Sequence, residues 1–344
     1  MRGPGQETGS RMVSDAASGN RIKALGLWYA AKGVVDLRPE LLPSPGEGEG
    51  LVRMLYSGVS RGTERLVLEG AVPESEWQRM RAPLQRGDFP FPVMHGYCAV
   101  GVVEEGPAEL IGRVVFCLHP HQARFVAPLG MLLPVPDGVP TRRATLAANM
   151  ETALNALWDS GAGPADRIVV IGAGIVGLLV ARLAARLPGA EVIVADLAPQ
   201  RREIVEAFDA CFVSPEAVPG GADVVFHASA SAAGLAAAIG AAGNEATVVE
   251  LSWYGDRAVT VPLGGAFHSQ RLRIVGSQVG QVAANHRARW TYRRRLEAAL
   301  DLLDDPALDL LLDTEIAFAD APSRLPALLA RDAPGLAPIL VYPS

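Results

Sequence analysis

The most constraining stretch of the chain is Arg167 to Asp196, RIVVIGAGIVGLLVARLAARLPGAEVIVAD. It reads as one strand-helix-strand unit. Ile168 to Ile171 form a short β-branched run that can be buried on both faces, as a central parallel strand must be. Gly172, Gly174 and Gly177 follow at the G-x-G-x-x-G spacing, with Ala173, Ile175 and Val176 between them. The first glycine permits a tight turn, the second lets backbone approach a pyrophosphate, and the third allows close packing of helix on strand. Backbone N–H groups opening the helix would face the phosphate charge. Ile175, Leu178, Leu179, Leu183 and Leu187 give a helical apolar stripe, and Glu191 to Ala195 a second strand ending at Asp196. An acid there accepts from ribose hydroxyls and repels a 2′-phosphate, which favours NAD(H) over NADP(H). Arg201 and Arg202 lie close enough in sequence to pair with a 2′-phosphate and soften that preference. The alternative is a glycine-rich turn in an ordinary α/β domain. The strand before, helix after and acid beyond favour the dinucleotide site.

After Asp196 the α/β alternation continues through Pro199–Phe208, Ala222–His227, Ala232–Ala242, Ala246–Leu251 and Leu272–Val279. This is enough for a doubly wound parallel sheet of about six strands. A helix over residues 146 to 158 leads into it, and a charged helix from about His286 to Leu303 follows. From Ile22 to about Pro140 the pattern is instead short strands, glycines and prolines. Leu51–Tyr56, Val93–Val103, Arg113–Leu118 and Arg124–Val126 are the clearest strands of a partly closed β-domain. A weakly helical segment from Glu69 to Pro92 interrupts it, suited either to a lid or to an inert excursion packed by Trp77. The expected divisions are a leader at 1–20, a β-rich domain at 21–145, a nucleotide domain at 146–280, and a return to the first domain at 281–344.

With 344 residues, 49% of them apolar, the chain can bury two substantial cores. Its net charge of −6 gives no reason to expect nucleic acid or an anionic membrane as partner. The cluster Arg293, Arg294 and Arg295 reads as the solvated face of a helix. No run is long enough to span a bilayer and no signal-peptide core is present near the start. The opening residues look like a polar leader, with Met12 a second possible start. Three scattered cysteines make no disulfide framework, and a cytoplasmic location fits.

A β-rich domain, an inserted nucleotide domain and a short return together resemble the medium-chain dehydrogenase/reductase family. The resemblance rests also on GVSRGTERLVLEG at 58–70, FPVMHGYCAVGVV at 91–103 and GADVVFHASAS at 221–231. It implies a GroES-like catalytic domain beside a Rossmann domain. Within the family the chain looks most like the bacteriochlorophyllide hydroxyethyl dehydrogenases, which share the serine in the first motif and the tyrosine in the second. Zinc members carry a cysteine where this chain has Ser60 or Arg61 and a histidine where it has Tyr97. Their structural-zinc lobe is also missing, so no zinc is expected. An unconventional site among His95, Cys98, Cys117, His119 and His121 is weighed against buried thiols and hydrogen-bonded histidines, because their spacings match no metal motif. The resemblance further implies a homodimer paired through Arg271–Gly280, a stretch apolar enough for a sheet edge.

Without zinc, a positioned hydroxyl must stabilise or protonate the substrate oxygen. The resemblance places Tyr97 where a metal ligand would enter the cleft, although a packed interface tyrosine is the plain alternative. Ser60 can relay a proton, Arg61 can pair with pyrophosphate or a substrate carboxylate, and Glu64 can hold Arg61. Glu151 and Thr152 are expected at the nicotinamide pocket, with Asn155 serving helix packing. Ser229 is expected near the nicotinamide ribose and His227 in the core. Trp77, Trp253 and Tyr254 are candidate substrate walls, with Ser252 beside them, and His268 is a second candidate acid. The leading expectation is an NAD(H)-dependent oxidoreductase acting on a small-molecule secondary alcohol or ketone. An enone or quinone reductase and a catalytically silent nucleotide-binding protein are the alternatives.

Overall fold

The computed structural model describes residues 21–343. The leader expected at 1–20 lies outside the described residues. The chain opens with a hairpin of β1 (Ile22–Ala31) and β2 (Val34–Leu42), turned at Gly33 with φ +75°. β3 (Glu49–Gly58) then runs into α1 (Arg61–Glu69), a helix in a stretch where the sequence showed no helical period. Its apolar Leu66, Val67 and Leu68 are buried, and Gly70 ends it in the left-handed region at φ +66°.

The segment to Pro92 carries one 3₁₀ turn at Glu74–Glu76 and β4 (Arg86–Gly87), in place of the expected weak helix. The expected strand Val93–Val103 divides into β5 (Val93–Met94) and β6 (Ala99–Glu105). Between them Gly96 has φ +117°, and a Cβ there would lie 2.8 Å from the His121 ring. The break turns His95 and Tyr97 out of the ladder. β7 (Val114–Cys117), β8 (Arg124–Pro128) and β9 (Leu133–Pro134) complete this part.

After α2 (Ala147–Ser160) come β10 (Arg167–Ile171), α3 (Ile175–Ala184), β11 (Glu191–Ala195), α4 (Arg202–Ala207), β12 (Cys211–Val213), β13 (Ala222–His227), α5 (Ala232–Ala241), β14 (Ala242–Glu250) and β15 (Arg273–Gly276). The six strands form one parallel sheet in the order β12-β11-β10-β13-β14-β15. This is the doubly wound order, and its direction reverses between β10 and β13. Along β10, Ile168 and Val170 pack toward α2 and α3, whereas Val169 and Ile171 pack toward α5. Both faces of the strand are therefore apolar, which is why it reads as a continuous run.

The chain closes with α6 (Tyr292–Asp301), β16 (Glu315–Ala317), α7 (Ala321–Leu328) and β17 (Ile339–Val341). α6 begins six residues later than the periodicity suggests, where Thr291 accepts from the Arg294 N–H as N-cap. β17 pairs antiparallel with β3, in a seven-stranded sheet whose main path is β16-β17-β3-β6-β7-β9. The remaining sheet has the order β2-β1-β5-β4. Among the described residues no helix is long and apolar enough to cross a membrane.

Candidate active site

A cleft of about 660 Å³ opens between the α1 and β5–β6 region on one side and α2, β14 and α6 on the other. That volume is in the range of small-molecule sites. Its floor is mostly apolar, with Leu118, Leu133 and Val176 among the lining residues, and its polar groups gather around Ser60, Thr63, His95 and Tyr97.

α1 explains why Ser60 is available. Ser60 stands at the N-cap but makes no side-chain capping bond. Glu64 instead reaches back to the cap residue, its Oε1 accepting from the Ser60 N–H at 2.7 Å. Ser60 Oγ is left to accept from the Tyr97 phenol at 2.6 Å, and the same phenol lies 3.2 Å from Thr63 Oγ1. Thr63 was missed in the sequence; its place one helical turn from Ser60 is the signal that could have found it. Burial is the main cause that raises the Tyr97 phenol above its ordinary value, and Ser60 and Thr63 pull it back only partly. Tyr97 is thus a hydrogen-bond donor first and a proton source second.

Several sequence expectations are corrected. Glu64 does not hold Arg61. It is fully buried, receiving Tyr29 Oη at 2.5 Å, and its Oε2 lies 3.0 Å from His121 Nε2. Burial works to raise the Glu64 carboxyl, but His121, by charge and hydrogen bond, and the Tyr29 bond outweigh it and hold it below its ordinary value. The network continues from His121 Nδ1 to Ser57 Oγ at 2.7 Å and on to Tyr342. Glu64 is a positioning residue beneath the cleft.

Arg61 is committed elsewhere as well. Its guanidinium donates to the carbonyls of Leu328, Ala330, Ala333 and Gly335, which ties α1 to the chain after α7. Arg201 donates to the same Gly335 carbonyl at 2.9 Å rather than standing free beside Asp196. Trp77 is not in the cleft wall; its indole donates to Val72 O, and the following Arg79, Met80 and Arg81 line the cleft instead. Tyr254 turns away to Glu250 at 3.1 Å, whereas Trp253 lines the cleft. Arg295, read as solvated, is 2% exposed and pairs with Glu151 at 3.0 Å. Its neighbours Arg293 and Arg294 are exposed.

Glu151 and Thr152 both line the cleft. Burial raises the Glu151 carboxyl more than Arg295 lowers it. Thr152 spends its hydroxyl on Ala148 O, and Asn155 joins Arg295 to Ala283 in helix packing. Ser229 stands beside the glycine turn, its Oγ 2.7 Å from His227 Nε2. His227 is fully buried with both ring nitrogens occupied by Ser229 and Glu250. Ser252 accepts from the Ala230 N–H, and His268 is exposed away from the cleft.

The glycine turn itself has the shape of a cradle. Gly172 has φ +109°, and a Cβ there would lie 2.9 Å from the Ala228 and Ser229 backbone. A Cβ on Gly177 would fall 2.0 Å from Gly172 O, so only glycine lets α3 sit this close. Gly174 faces open space at the helix start. Asp196 fixes the turn by accepting from the Ala173 N–H at 2.6 Å and the Ala198 N–H at 2.8 Å.

Residues 159–242 match the family described as alanine dehydrogenase/PNT, C-terminal domain. L-galactonate-5-dehydrogenase of Escherichia coli (strain K12) is 26% identical over 189 residues, 48% of this chain and 53% of that protein. The match thus spans about half the length of that relative. L-idonate 5-dehydrogenase from Escherichia coli K-12 MG1655 superposes with a TM-score of 0.76 at 15% identity, over 93% of this chain and 99% of the other. S. aureus TarJ in complex with NADPH gives 0.72 at 15% identity, over 94% and 100%. The chain has the fold of these two proteins. At such low identity the likeness concerns architecture, and function rests on the site.

Proposed function

We propose that the chain is a zinc-independent medium-chain dehydrogenase/reductase that interconverts a secondary alcohol and a ketone by hydride transfer, with NAD(H) preferred over NADP(H). The observation carrying this reading is the hydroxyl group set Tyr97, Ser60 and Thr63 at a cleft beside a glycine cradle. The subgroup resembling bacteriochlorophyllide hydroxyethyl dehydrogenases is part of the proposal, through Ser60 and Tyr97.

Gly172 to Gly177 would hold the pyrophosphate against the start of α3, and Asp196 the adenosine ribose. Each Asp196 oxygen is engaged once and retains a lone pair for a ribose hydroxyl. Arg201 gives one N–H to Gly335 O, and the preference for NAD(H) rests on Asp196. Val176, Thr152 and the adjacent Ser229 would border the nicotinamide, which when bound supplies or accepts hydride. Because Tyr97 donates to Ser60, the Ser60 hydrogen is free to meet a substrate oxygen. As charge develops on that oxygen, Ser60 strengthens its bond and Tyr97 supports it from behind. The elevated phenol fits stabilisation, with the net proton of ketone reduction supplied by bulk solvent.

The donor set argues against zinc chemistry. Hydroxyls occupy the positions the resemblance assigns to ligands, and they bond each other. Cys98 and Cys117 are both buried, packed in different apolar clusters. His119 donates Nδ1–H to Pro120 O and stacks on Phe125, whereas His121 is held between Ser57 and Glu64. Among the described residues no three acidic, histidine or cysteine side chains gather as a metal site.

A homodimer through β15 is also proposed, since β15 is a sheet edge with Arg273, Ile274 and Gly276 exposed. The free cysteines agree with a cytoplasmic location. The test is transfer of deuterium from [4-²H]NADH to a panel of ketones and enones. Label on a carbinol carbon supports the proposal; label on a conjugated carbon, or no NADH consumption with any carbonyl, overturns it.

A further inference from the structure

His121 is fully buried and is not among the cleft-lining residues, yet it touches both segments that carry the cleft hydroxyls. Its backbone N–H donates to His95 O at 3.2 Å, and its carbonyl accepts from the Leu27 N–H at 2.9 Å. The residue is thereby pinned between β1 and the break that separates β5 from β6. Its ring fills the space that Gly96 leaves, since a Cβ there would lie 2.8 Å from both Cδ2 and Nε2. Gly96, at φ +117°, holds a backbone conformation that L side chains rarely adopt. Just beyond it, Cys98 O accepts from the Gly58 N–H at 2.9 Å and closes the break against the end of β3. Ring and backbone of His121 together shape the turn that delivers Tyr97, one residue after Gly96.

The same ring reaches the other hydroxyl through Glu64. His121 Nε2 lies 3.0 Å from Glu64 Oε2, and Glu64 Oε1 holds the Ser60 N–H at 2.7 Å. With Tyr29 also donating, three groups converge on the carboxylate, so Nε2 carries a hydrogen. Nδ1 lies 2.7 Å from Ser57 Oγ, which leaves no ring nitrogen for a metal. The ring cannot turn without giving up two buried bonds. We infer that His121 is a positioning residue that sets the Tyr97–Ser60 hydrogen bond, shaping the turn before Tyr97 with its ring and holding the Ser60 backbone through Glu64. This rests on the hydroxyl-based reading above. His121 touches no substrate. A donor preorganised for developing charge works only at the right distance, and here one buried imidazole governs both ends of the 2.6 Å contact.

The test uses full-length protein labelled with 3-fluorotyrosine, the Tyr97 fluorine signal being assigned by its loss in Tyr97→Phe. His121→Leu should move that signal and leave those of Tyr254 and Tyr292 in place. It should lower kcat for ketone reduction roughly 10- to 100-fold with NADH affinity unchanged within about twofold. His121→Gln, which keeps a donor for Glu64, should restore most of the rate. His121→Asn retains a partner for Ser57 but falls short of Glu64; it guards against a folding defect and should give the same loss as His121→Leu. In a Tyr97→Phe background His121→Leu should cost no more than about twofold further, because the two residues act as one unit. A Tyr97 signal unmoved in both His121→Leu and His121→Asn, or losses that simply multiply with that of Tyr97→Phe, overturns the inference. The fluorine readout needs no turnover, so failure of the redox reading would show separately as absent NADH consumption by the wild type.

Discussion

The phenolic O–H of Tyr97 ends 2.6 Å from Ser60 Oγ, across 37 positions of sequence, at an N-cap residue whose own hydroxyl makes no bond to the helix it opens. Removing that donor should be felt in turnover and not in cofactor binding. Tyr97→Phe is expected to lower kcat/KM by about 10²–10³ while NADH affinity stays within about twofold. Steady-state kinetics beside a fluorescence titration check this; an unchanged kcat/KM removes Tyr97 from the chemistry.

Arg295 and Glu151 form a buried pair at the cleft, with side chains 2% and 7% exposed. Arg295→Met would leave the carboxylate without its partner, at a cost of about 3–5 kcal/mol. Urea unfolding should show that loss, and Glu151→Gln in the same background should recover part of it. A change below about 0.5 kcal/mol would mean that Glu151 is solvated in a way this packing does not allow.

His95 and His119 are both buried and held near 4. An unfolded histidine titrates near 6.5, so the unfolded chain binds more protons between these values. The stability each neutral ring contributes is therefore complete above about 6.5 and is lost as pH falls toward 4, on the order of 3 kcal/mol per histidine. Unfolding free energy measured from pH 7 to 4.5 should fall ahead of the carboxylate range. His119→Phe, which keeps the stack on Phe125, should flatten that limb; an identical slope would contradict the assignment.

Asp196 terminates β11 with its carboxylate on two backbone N–H groups. Wild-type protein should bind NADH more tightly than NADPH. Asp196→Ser is expected to narrow the ratio by about tenfold through loss of ribose bonding and of repulsion. Equal wild-type affinities for the two cofactors would place the discrimination elsewhere.

The nucleotide sheet was legible because its signals are local. The strands at Glu191–Ala195 and Ala222–His227 read directly from β-branched runs bounded by turns, and the glycine spacing states its own steric reason. α1 was hidden because Gly62 and Thr63 weaken the helical pattern and the helix holds only nine residues. Side-chain destinations were less legible still. Arg61 finds its carbonyls 267 to 274 positions away, and Arg295 finds Glu151 144 positions away. Nothing within either motif encodes those partners, and a charged residue in a charged run is ordinarily exposed. His95 drew notice only as a possible ligand; its bond to Gln85 follows from the fold.

The most direct measurement is ketone reduction by protein stripped with a strong chelator, metal content being determined on the same sample. The account predicts that NADH-dependent turnover survives with less than about one zinc per ten chains and does not rise when zinc is added back. Activity that vanishes on stripping and returns with stoichiometric zinc would contradict the hydroxyl-based site.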